Sequence, residues 1–518
     1  MIDLLPIGIA FIAGLVATFF RLPPLVGYLV AGFTLQGSAQ SSQASLELFS
    51  EFGIILLLFT IGLKLQVETL TRREVLSSGL IHFCLSFLFF MGLFILLSSP
   101  LNLGLNQAAL ISLSLTFSST VFMVKLLEER GDFSAHYGQI ALGILIIQDL
   151  IAVIFLAASH QKLPHPLSLL ILPALLPFRS LIYRVLDRVH HGELMVLFGI
   201  ATALLGAFTF DQLQLKADLG ALVFGVVIAQ HPRADELSKA LLSLKNFFLL
   251  GFFLTIGMVG LPKWVDLGIA LGICLLLPLR SLGYYFLLNQ FGMRSRTSFM
   301  ASLSLLNYSE FGLIVMAMSH QLGWIGDRWM VVLALVVTFS FIFSSSLNRK
   351  SLSFYEALKD RLKDKEKQKK HELEKAIFIK NSNIIVMGLG RVGRGAYDYL
   401  VRDPHWNPIG IDHSKELTKE LSAMGYHVIC GDATNADFWS RLVFQPNEIQ
   451  AVLLCMPLVY QNIQATRNLR KNGFTGKIYS IAKYPDEIER LEKDGVNQAF
   501  NLYAEAGVGF AQNCIRSK

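Results

Sequence analysis

Charged residues are scarce in this chain of 518 residues, and their distribution is uneven. Asp, Glu, Lys and Arg make up 16% of the sequence, whereas hydrophobic residues make up 53%. Soluble domains carry about 25% charged residues, so a wholly soluble protein is excluded. Up to about residue 346 the sequence is a series of apolar stretches of roughly 17–25 residues, long enough to cross a bilayer. From residue 347 onward the composition is that of an ordinary soluble protein, which predicts at least two domains.

Paired cysteines and a positively charged leader are also missing. The five cysteines contain no CxxC pair, which predicts neither a zinc site nor a disulfide framework. The start Met1-Ile2-Asp3 lacks the basic residues of a cleavable signal peptide, so we expect the first apolar stretch to be retained. The net charge of +7 is no sign of nucleic acid, because basic residues of membrane proteins collect on cytoplasmic loops.

Hydropathy predicts about thirteen spans. We place them near residues 3–20, 24–39, 48–67, 76–98, 106–127, 137–159, 166–183, 193–210, 214–230, 240–260, 265–289, 298–319 and 327–346. One alternate set of loops carries most of the basic residues: Arg21, Lys64, Arg72, Arg73, Lys125, Arg130, Arg179, Arg184, Arg188, Arg233, Lys239, Arg294 and Arg296. The other set carries little beyond Lys162, Lys216, Lys263 and Arg328. The positive-inside rule then predicts an external N-terminus and a cytoplasmic C-terminus.

Two predicted spans are interrupted by polar residues. One contains Thr116, Ser118, Ser119 and Thr120, and the other runs from Asn307 through Glu310 to Gly312. Broken helices at corresponding places in two repeats indicate an ion site near the bilayer midplane. Small polar residues in ordinary helix packing are the alternative.

Ionisable residues inside spans are functional candidates because burying them is costly. Asp149 lies near the middle of its span, where burial favours the neutral acid, so one carboxylate can hold either a proton or a cation. Gln148 supplies a neutral oxygen beside it. Arg280 cannot carry the transported proton because arginine stays protonated. It is interpreted as a partner of Asp149 or of a nearby acid, with a structural salt bridge or snorkelling to the interface as alternatives.

The soluble half begins with a charged stretch, residues 348–380, predicted to be a solvated helical linker. The strand Ile384–Met387 follows, and then GLGRVG opens a helix, placing Gly388, Gly390, Arg391, Val392 and Gly393 in a GxGxxG turn. This strand–turn–helix context predicts a nucleotide site, because glycines let the backbone approach phosphate.

An acidic residue that can accept hydrogen bonds from ribose hydroxyls follows the glycine turn, about twenty residues further on. The strand Pro408–Ile411 ends in Asp412, and a third strand, residues 427–430, runs into Gly431, Asp432 and Ala433. A fourth strand, residues 451–455, completes one half of a doubly wound sheet. Residues 381–518 leave room for one βαβαβ unit and a small tail, with no substrate domain. A nucleotide sensor is therefore favoured over a dehydrogenase or a fold that binds nothing.

This half resembles the RCK (KTN) domain that regulates potassium transport, on the motifs GLGRVG, the Asp412 strand end and GDAT. The resemblance implies a dimer of such domains that binds AMP, NAD(H) or a related adenine nucleotide. It assigns residues 1–347 to a transmembrane exchanger, 348–380 to the linker and 381–518 to an α/β Rossmann-like RCK domain.

The whole chain resembles Kef-type cation–proton antiporters. The matching segments are RLPPLVGYLVAGFTLQGS, IILLLFTIGLKL, SSTVFMVKLLEERG, the pair Gln148-Asp149, LLGFFLTIGM and SEFGLI. The resemblance implies a polytopic α-helical fold of inverted repeats with broken crossing helices and a dimer-forming scaffold. It makes Asp149 the carrier of cation and proton, and places Arg280 where the family has a basic residue, often lysine.

The sequence departs from that family in the loop before LLGFFLTIGM. This loop reads HPRADELSKALLSLKN and retains only Asp235 and Glu236 of the acidic regulatory residues, which puts control by glutathione in doubt. We therefore predict a potassium–proton antiporter of the bacterial inner membrane, gated by an adenine nucleotide, with a soluble ancillary subunit as a possible partner. A sodium–proton antiporter is the alternative. A potassium channel with an RCK domain is remote, because no TVGYG-type filter is present.

Overall fold

The computed structural model describes residues 4–20, 22–36, 43–64, 72–130, 132, 135–159, 171–189, 192–212, 217–363, 374–379, 381–443 and 449–516. Parts of several predicted features lie outside these ranges. They are Arg21, Lys162, Lys216, the first residues of the predicted span 166–183, and residues 364–373 of the predicted linker.

Every one of the thirteen predicted spans overlaps a helix or a pair of helices within the described part of the chain. The helices are Leu4–Phe19, Pro24–Leu35, Gln43–Lys64, Arg73–Leu96, Ser98–Leu101, Leu105–Ser114, Thr120–Arg130, His136–Ala158, Ile171–Arg188, Glu193–Gln212, Ala217–Ile228, Ala234–Met258, Trp264–Cys274, Leu277–Gln290, Ser295–Ser304, Glu310–Gln321, Asp327–Arg349 and Ser351–Lys363. Among the described residues, seven continuous stretches are long and apolar enough to cross a membrane, and shorter apolar helices accompany them.

Three of the predicted spans are discontinuous. The spans 106–127 and 298–319 break where the polar residues interrupt them, as predicted. The span 265–289 is also divided into two helices, Trp264–Cys274 and Leu277–Gln290, which was not predicted. Pro278 lies in the first turn of the second piece. Because proline lacks an N–H and its ring clashes with the preceding turn, it ends or kinks a helix at this place.

The segment HPRADELSKALLSLKN was expected to be a loop, and this was wrong. Helix Ala234–Met258 begins inside it, so most of the segment is the first turns of a long helix. Arg233 precedes this helix and donates from Nε to Glu236 at 2.9 Å. Arg233 also donates from one terminal nitrogen to the carbonyls of Leu186 and Val189, both at 2.7 Å. The retained Glu236 thus holds an arginine that caps a neighbouring helix.

The chain divides into two compact units. The first contains residues 1–126 and 139–368, and the second contains residues 127–138 and 369–518. Within the first unit, helix Ser351–Lys363 begins the predicted linker and packs against helix Ser295–Ser304, where the rings of Phe299 and Tyr355 lie 5.9 Å apart.

The second unit is built on a parallel sheet of six strands in the order β4-β3-β2-β6-β7-β8. A separate parallel pair joins β1 to β5. The strands are β1 Ile377–Phe378, β2 Ile384–Met387, β3 Pro408–Asp412, β4 Val428–Cys430, β5 Leu442–Val443, β6 Ala451–Leu454, β7 Lys477–Ala482 and β8 Gln498–Asn501. Helices connect the strands: Arg391–Val401, Lys415–Ala423, Ala436–Arg441, Val459–Lys471 and Pro485–Lys493, with Leu502–Arg516 after β8.

The prediction of one βαβαβ half with a small tail was therefore wrong. Strands β7 and β8 extend the sheet beyond β6 and complete a doubly wound fold. Along β2, Ile385 and Met387 belong to one apolar cluster, and Ile384 and Val386 belong to another on the opposite face. Because successive side chains of a strand point to opposite faces, this strand is buried on both sides. The order in which strands are added to the sheet reverses between β2 and β6, and such a switch point creates a crevice at the carboxyl ends of the strands.

Candidate functional sites

The two broken helices meet at their breaks in the first unit. We call Leu105–Ser114 with Thr120–Arg130 the first broken helix, and Ser295–Ser304 with Glu310–Gln321 the second broken helix. A Cβ added to Gly312 would lie 2.4 Å from the carbonyl oxygen of Ser114, so the two backbones come into close contact. The backbone N–H of Ser119 donates to Oδ1 of Asn307 at 2.6 Å. Polar groups freed by one break are thus satisfied by residues of the other.

Asp149 lies against the first broken helix. It is only 2% exposed and sits on helix His136–Ala158. The hydroxyl of Thr120 donates to Oδ2 of Asp149 at 3.1 Å. Thr120 is the first residue of its half-helix, and the N-terminal end of a helix carries a partial positive charge. The break therefore presents both a donor and a favourable dipole to the acid.

Gln148 connects Asp149's helix to the same break. Its Oε1 accepts from the backbone N–H of Ser118 at 2.7 Å, and its Nε2 donates to the hydroxyl of Tyr284 at 2.7 Å. The ring of His82 stacks on Tyr284 with centroids 3.3 Å apart. Sequence reasoning missed Tyr284 and His82. A histidine in the otherwise apolar stretch LIHFCLSFLFF was the available signal.

Arg280 bridges both breaks through backbone carbonyls. One terminal nitrogen donates to the carbonyls of Asn307 at 2.9 Å and Phe117 at 3.3 Å. The other donates to the Ser118 hydroxyl at 2.7 Å and to the Thr116 carbonyl. Three carbonyls freed by the breaks therefore accept from the guanidinium. Arg280 is buried among these partners, so it does not snorkel to an interface.

Glu310 is the second buried acid at the crossing. It is the first residue of its half-helix and only 1% exposed. The hydroxyl of Ser309 donates to its Oε2 across 3.4 Å. Within the described residues, Oε1 of Glu310 has no hydrogen-bond partner. A buried carboxylate oxygen without a hydrogen-bond donor is unfavourable, so this oxygen is a candidate ligand for a cation.

Opposite charges therefore sit at opposite sides of the breaks. Arg280 neutralises carbonyls that follow the first halves of the broken helices, where helix ends are partly negative. Asp149 and Glu310 lie at the N-terminal ends of the second halves, which are partly positive. This arrangement can hold a proton or a monovalent cation on a carboxylate while keeping the surrounding backbone satisfied.

The nucleotide cradle lies in the second unit, between β2 and helix Arg391–Val401. Gly388 has φ +88°, a conformation that favours glycine. A Cβ on Gly393 would lie 1.8 Å from the Gly388 carbonyl oxygen, so no larger residue fits there. Gly390 precedes the helix and has open space in place of a side chain. Arg391 and Val392 form the first turn beside this opening. The backbone N–H groups of that turn are available to an anion.

Asp412 lies at the end of β3, next to the glycine turn. Its Oδ2 accepts from the backbone N–H of Leu389 at 2.7 Å, and its Oδ1 accepts from that of Ser414 at 2.9 Å. Nδ1 of His413 also lies 3.3 Å from Oδ1. Each carboxylate oxygen can accept two hydrogen bonds, so Oδ2 can still accept from a ribose hydroxyl. Asp432 instead accepts from the backbone N–H and hydroxyl of Thr434, which shapes the loop after β4.

A cavity of about 520 Å³ joins these residues at the carboxyl ends of the strands. Such a volume lies within the range of small-molecule sites. Gly388, Gly390, Arg391, Val392, Asp412, Asp432 and Ala433 all line it. The lining also includes Ser414, Gln461, Lys483 and Tyr503, which sequence reasoning did not assign to this site. Tyr503 follows β8, a strand that was not predicted.

Comparison with known families places both halves of the chain. The family model described as "Sodium/hydrogen exchanger, transmembrane" matches residues 7–349, well over half of the chain. The chain therefore belongs to the sodium/hydrogen exchanger family. A TrkA-N domain matches residues 384–502, which include the glycine turn and the cavity residues named above except Tyr503.

Two curated relatives and one solved structure are similar to much of this chain. The "Putative cation/proton antiporter YbaL" of Escherichia coli (strain K12) is 26% identical over 528 residues, covering 95% of this chain and 92% of that protein. "K(+) efflux antiporter 3, chloroplastic" of Arabidopsis thaliana is 24% identical over 539 residues, covering 94% and 68%. The solved sodium proton antiporter MjNhaP1 from Methanocaldococcus jannaschii is 16% identical with a TM-score of 0.47, covering 69% and 97%.

The chain is thus a multi-pass membrane protein, a cation/proton antiporter with a TrkA-N regulatory domain. The prediction of a Kef-type exchanger with a C-terminal RCK domain is confirmed, as is the fold class. The ion, the nucleotide and the roles of individual residues stay predictions.

Proposed function

We propose that this antiporter exchanges potassium for protons at Asp149 and that an adenine nucleotide in the TrkA-N domain gates the exchange. The observation that carries the transport proposal is the buried contact of Asp149 with Thr120 at the first broken helix. Relatives named K(+) efflux antiporters support potassium. Sodium is the alternative, because a carboxylate beside neutral oxygens does not by itself select ion size.

Energetics favour an obligatory exchange at this acid. A bare aspartate at the centre of a membrane helix costs about 2.5–3.5 kcal/mol. The helix end and the Thr120 hydroxyl offset part of that cost, since a helix dipole contributes about 0.3–1 kcal/mol. The remaining cost makes an ionised Asp149 with no cation bound rare. Asp149 therefore changes sides mainly with a proton or a cation bound, which couples the two fluxes.

Glu310 and Gln148 assist this carrier in different ways. Glu310 supplies a second acid whose charge state sets how strongly the crossing attracts a cation. Gln148 fixes the Asp149 helix to the Ser118 amide, so the carboxylate keeps its position at the break. The Ser118 hydroxyl accepts from Arg280, and the Ser119 backbone N–H donates to Asn307. Thr120 contacts the acid directly.

Exchange in proteoliposomes tests the transport proposal. Protein reconstituted with a pH-sensitive dye inside should release protons when potassium is added, and less when sodium is added at equal concentration. Equal or larger proton release with sodium would favour the alternative ion. No release with either ion would contradict exchange at this site.

The regulatory proposal concerns AMP or NAD(H) in the 520 Å³ cavity. Asp412 accepts from ribose hydroxyls, and the glycine turn with the first turn of helix Arg391–Val401 holds phosphate. Asp412→Ala should weaken adenine-nucleotide binding about tenfold or more, because hydrogen bonds to a charged group contribute about 1.5–3 kcal/mol. Calorimetry measures this, with Asp403→Ala as a control, since Asp403 is bonded to His405 on the surface. An unchanged affinity would remove Asp412 from the site.

The proposal extends to surroundings and partners. We place the protein in a bacterial inner membrane with the N-terminus outside and the TrkA-N domain in the cytoplasm, as a homodimer in contact with lipid. Glutathione and a soluble ancillary subunit are additional candidate regulators. Because Glu236 is engaged by Arg233, we expect glutathione to change exchange less than the nucleotide does.

A further inference from the structure

The second compact unit includes a short piece of the N-terminal half of the chain. Residues 127–138 belong to it, together with residues 369–518. This piece joins helix Thr120–Arg130 to helix His136–Ala158. Those two helices carry Thr120 and Asp149, which are hydrogen-bonded to each other. A segment that belongs to the unit of the nucleotide domain is therefore covalently continuous with both partners of that bond.

A buried pair holds the segment in the second unit. Nδ1 of His136 and Oε1 of Glu374 form a hydrogen bond between residues 238 positions apart in sequence. Both residues are buried, and Glu374 is 1% exposed. A buried carboxylate requires a partner, and a histidine ring supplies one here. This pair plays no part in the ion site or the nucleotide cavity as described above.

The segment on the His136 side is internally braced. The hydroxyl of Tyr137 donates to Oδ2 of Asp132 at 2.6 Å, and the N–H of Asp132 donates to the Leu127 carbonyl at 3.0 Å. A Cβ on Gly138 would lie 2.9 Å from the carbonyl oxygen of Asp132, so the turn is tightly closed. A displacement at His136 is therefore passed to both helix ends rather than absorbed by the turn.

The Glu374 side leads to the nucleotide cavity. Strand β1 begins three residues after Glu374 and pairs with β5, which directly follows helix Ala436–Arg441. Within that helix, Nε1 of Trp439 donates to the carbonyl of Ala433 at 2.7 Å. Ala433 lines the cavity. Packed and hydrogen-bonded elements thus connect the cavity wall to Glu374.

We infer that the buried His136–Glu374 pair couples nucleotide binding to the ion site. The inference rests on the proposed nucleotide gating and adds the contact that transmits it. When the cavity wall moves on nucleotide binding, Glu374 shifts His136, and His136 shifts the ends of the helices that carry Asp149 and Thr120. Spatial continuity alone does not demonstrate coupling, so the test measures an interaction between the two residues.

The experiment compares full-length protein with His136→Gln, Glu374→Gln and the double variant in proteoliposomes. Exchange is measured without nucleotide and with saturating AMP or NADH, whichever binds the wild-type protein by calorimetry. Glu356→Gln is the control, because Glu356 lies in the linker helix and pairs with Lys359 on the surface. We expect the wild-type rate to change about fivefold or more with nucleotide, within the usual range of allosteric coupling.

Each single variant should keep its exchange rate without nucleotide and its nucleotide affinity. Adding nucleotide should then change its exchange rate by less than about twofold. The double variant should lose no more response than either single one, because both changes remove the same contact. If nucleotide changes the exchange rate of the single variants as much as that of the wild type, the inference is overturned but the gating is not. Variants that lose nucleotide affinity would also overturn it, since the pair would then serve the fold of the nucleotide domain. A wild-type protein that binds nucleotide without any change in exchange would overturn the gating itself, and the inference with it.

Discussion

Thr120 donates its hydroxyl hydrogen to the carboxylate of Asp149 across 3.1 Å, although the two residues lie on different helices. The bond joins the residue that opens a half-helix to the one acid near the middle of helix His136–Ala158. A hydroxyl can donate to an ionised carboxylate and can accept from a protonated one. Thr120 can therefore keep contact with Asp149 in both protonation states, which suits a carrier that exchanges a proton for a cation.

Removing the charge of Asp149 should abolish exchange. Asp149→Asn keeps the size of the side chain but binds neither a proton nor a cation at physiological pH. Proton release on potassium addition to proteoliposomes should fall to the level of empty liposomes, with nucleotide binding and thermal stability retained. Asp211→Asn, at an exposed position of the same half, should exchange normally. Normal exchange by Asp149→Asn would exclude it as the carrier.

Truncating Arg280 should destabilise the membrane half as well as stop transport. Arg280→Ala leaves the carbonyls of Thr116, Phe117 and Asn307 without this donor, and each buried unsatisfied group costs about 1–3 kcal/mol.

Arg280→Lys should recover part of the stability, because an ammonium keeps the charge but offers fewer donors in a less fixed geometry. Thermal unfolding of detergent-purified protein should rank wild type above Arg280→Lys, and Arg280→Lys above Arg280→Ala. Equal unfolding temperatures for wild type and Arg280→Ala would show that Arg280 does not hold the breaks together.

The glycine turn offers a matched pair of substitutions. Gly393→Ala would place a methyl group 1.8 Å from the Gly388 carbonyl, so the turn must open and nucleotide affinity should drop by at least about tenfold. Gly395→Ala lies two positions past the motif in the same helix, and its added Cβ meets nothing within 4 Å. It should retain full affinity and stabilise the domain by about 0.4–1 kcal/mol. Calorimetry and thermal unfolding check both variants, and equal affinities would contradict the proposed phosphate cradle.

Cysteine labelling should distinguish half-buried Cys455 from exposed Cys430 in the nucleotide domain. Burial raises the pKa of the Cys455 thiol to about 12, above the usual 8.5. At pH 8 roughly one thiol in ten thousand is then the reactive thiolate. Iodoacetamide at pH 8 should modify exposed Cys430 and spare Cys455 until the domain is unfolded in urea, as mass spectrometry can show. Rapid labelling of Cys455 in the folded protein would contradict this environment.

In the membrane half, sequence patterns located the helices and two of the three breaks. Apolar runs predict the positions of the helices, because lipid and the protein interior both favour apolar side chains. The polar residues of Thr116–Thr120 and Asn307–Glu310 marked two of the breaks. Three of the four partners of Arg280 could not be predicted, because they are backbone carbonyls that carry no residue-specific signal. The break before Leu277 was missed although Pro278 marked it.

In the nucleotide half, the glycine turn and Asp412 were located from local spacing, and both line the cavity. Strands β7 and β8 were missed because Lys477–Ala482 and Gln498–Asn501 mix polar residues with short apolar ones. Without these strands, Tyr503, which follows β8, was not predicted to line the cavity. The His136–Glu374 contact links residues far apart in sequence, and no local pattern indicates such a contact.

The position of Arg280 affects how the two broken helices stay together when no cation is bound. Its guanidinium donates to carbonyls of both broken helices, so these carbonyls need no metal ion to satisfy them. Arg280 is a permanent counter-charge at the crossing, because arginine stays protonated. The two broken helices can therefore stay assembled when a transported cation leaves and a proton takes its place.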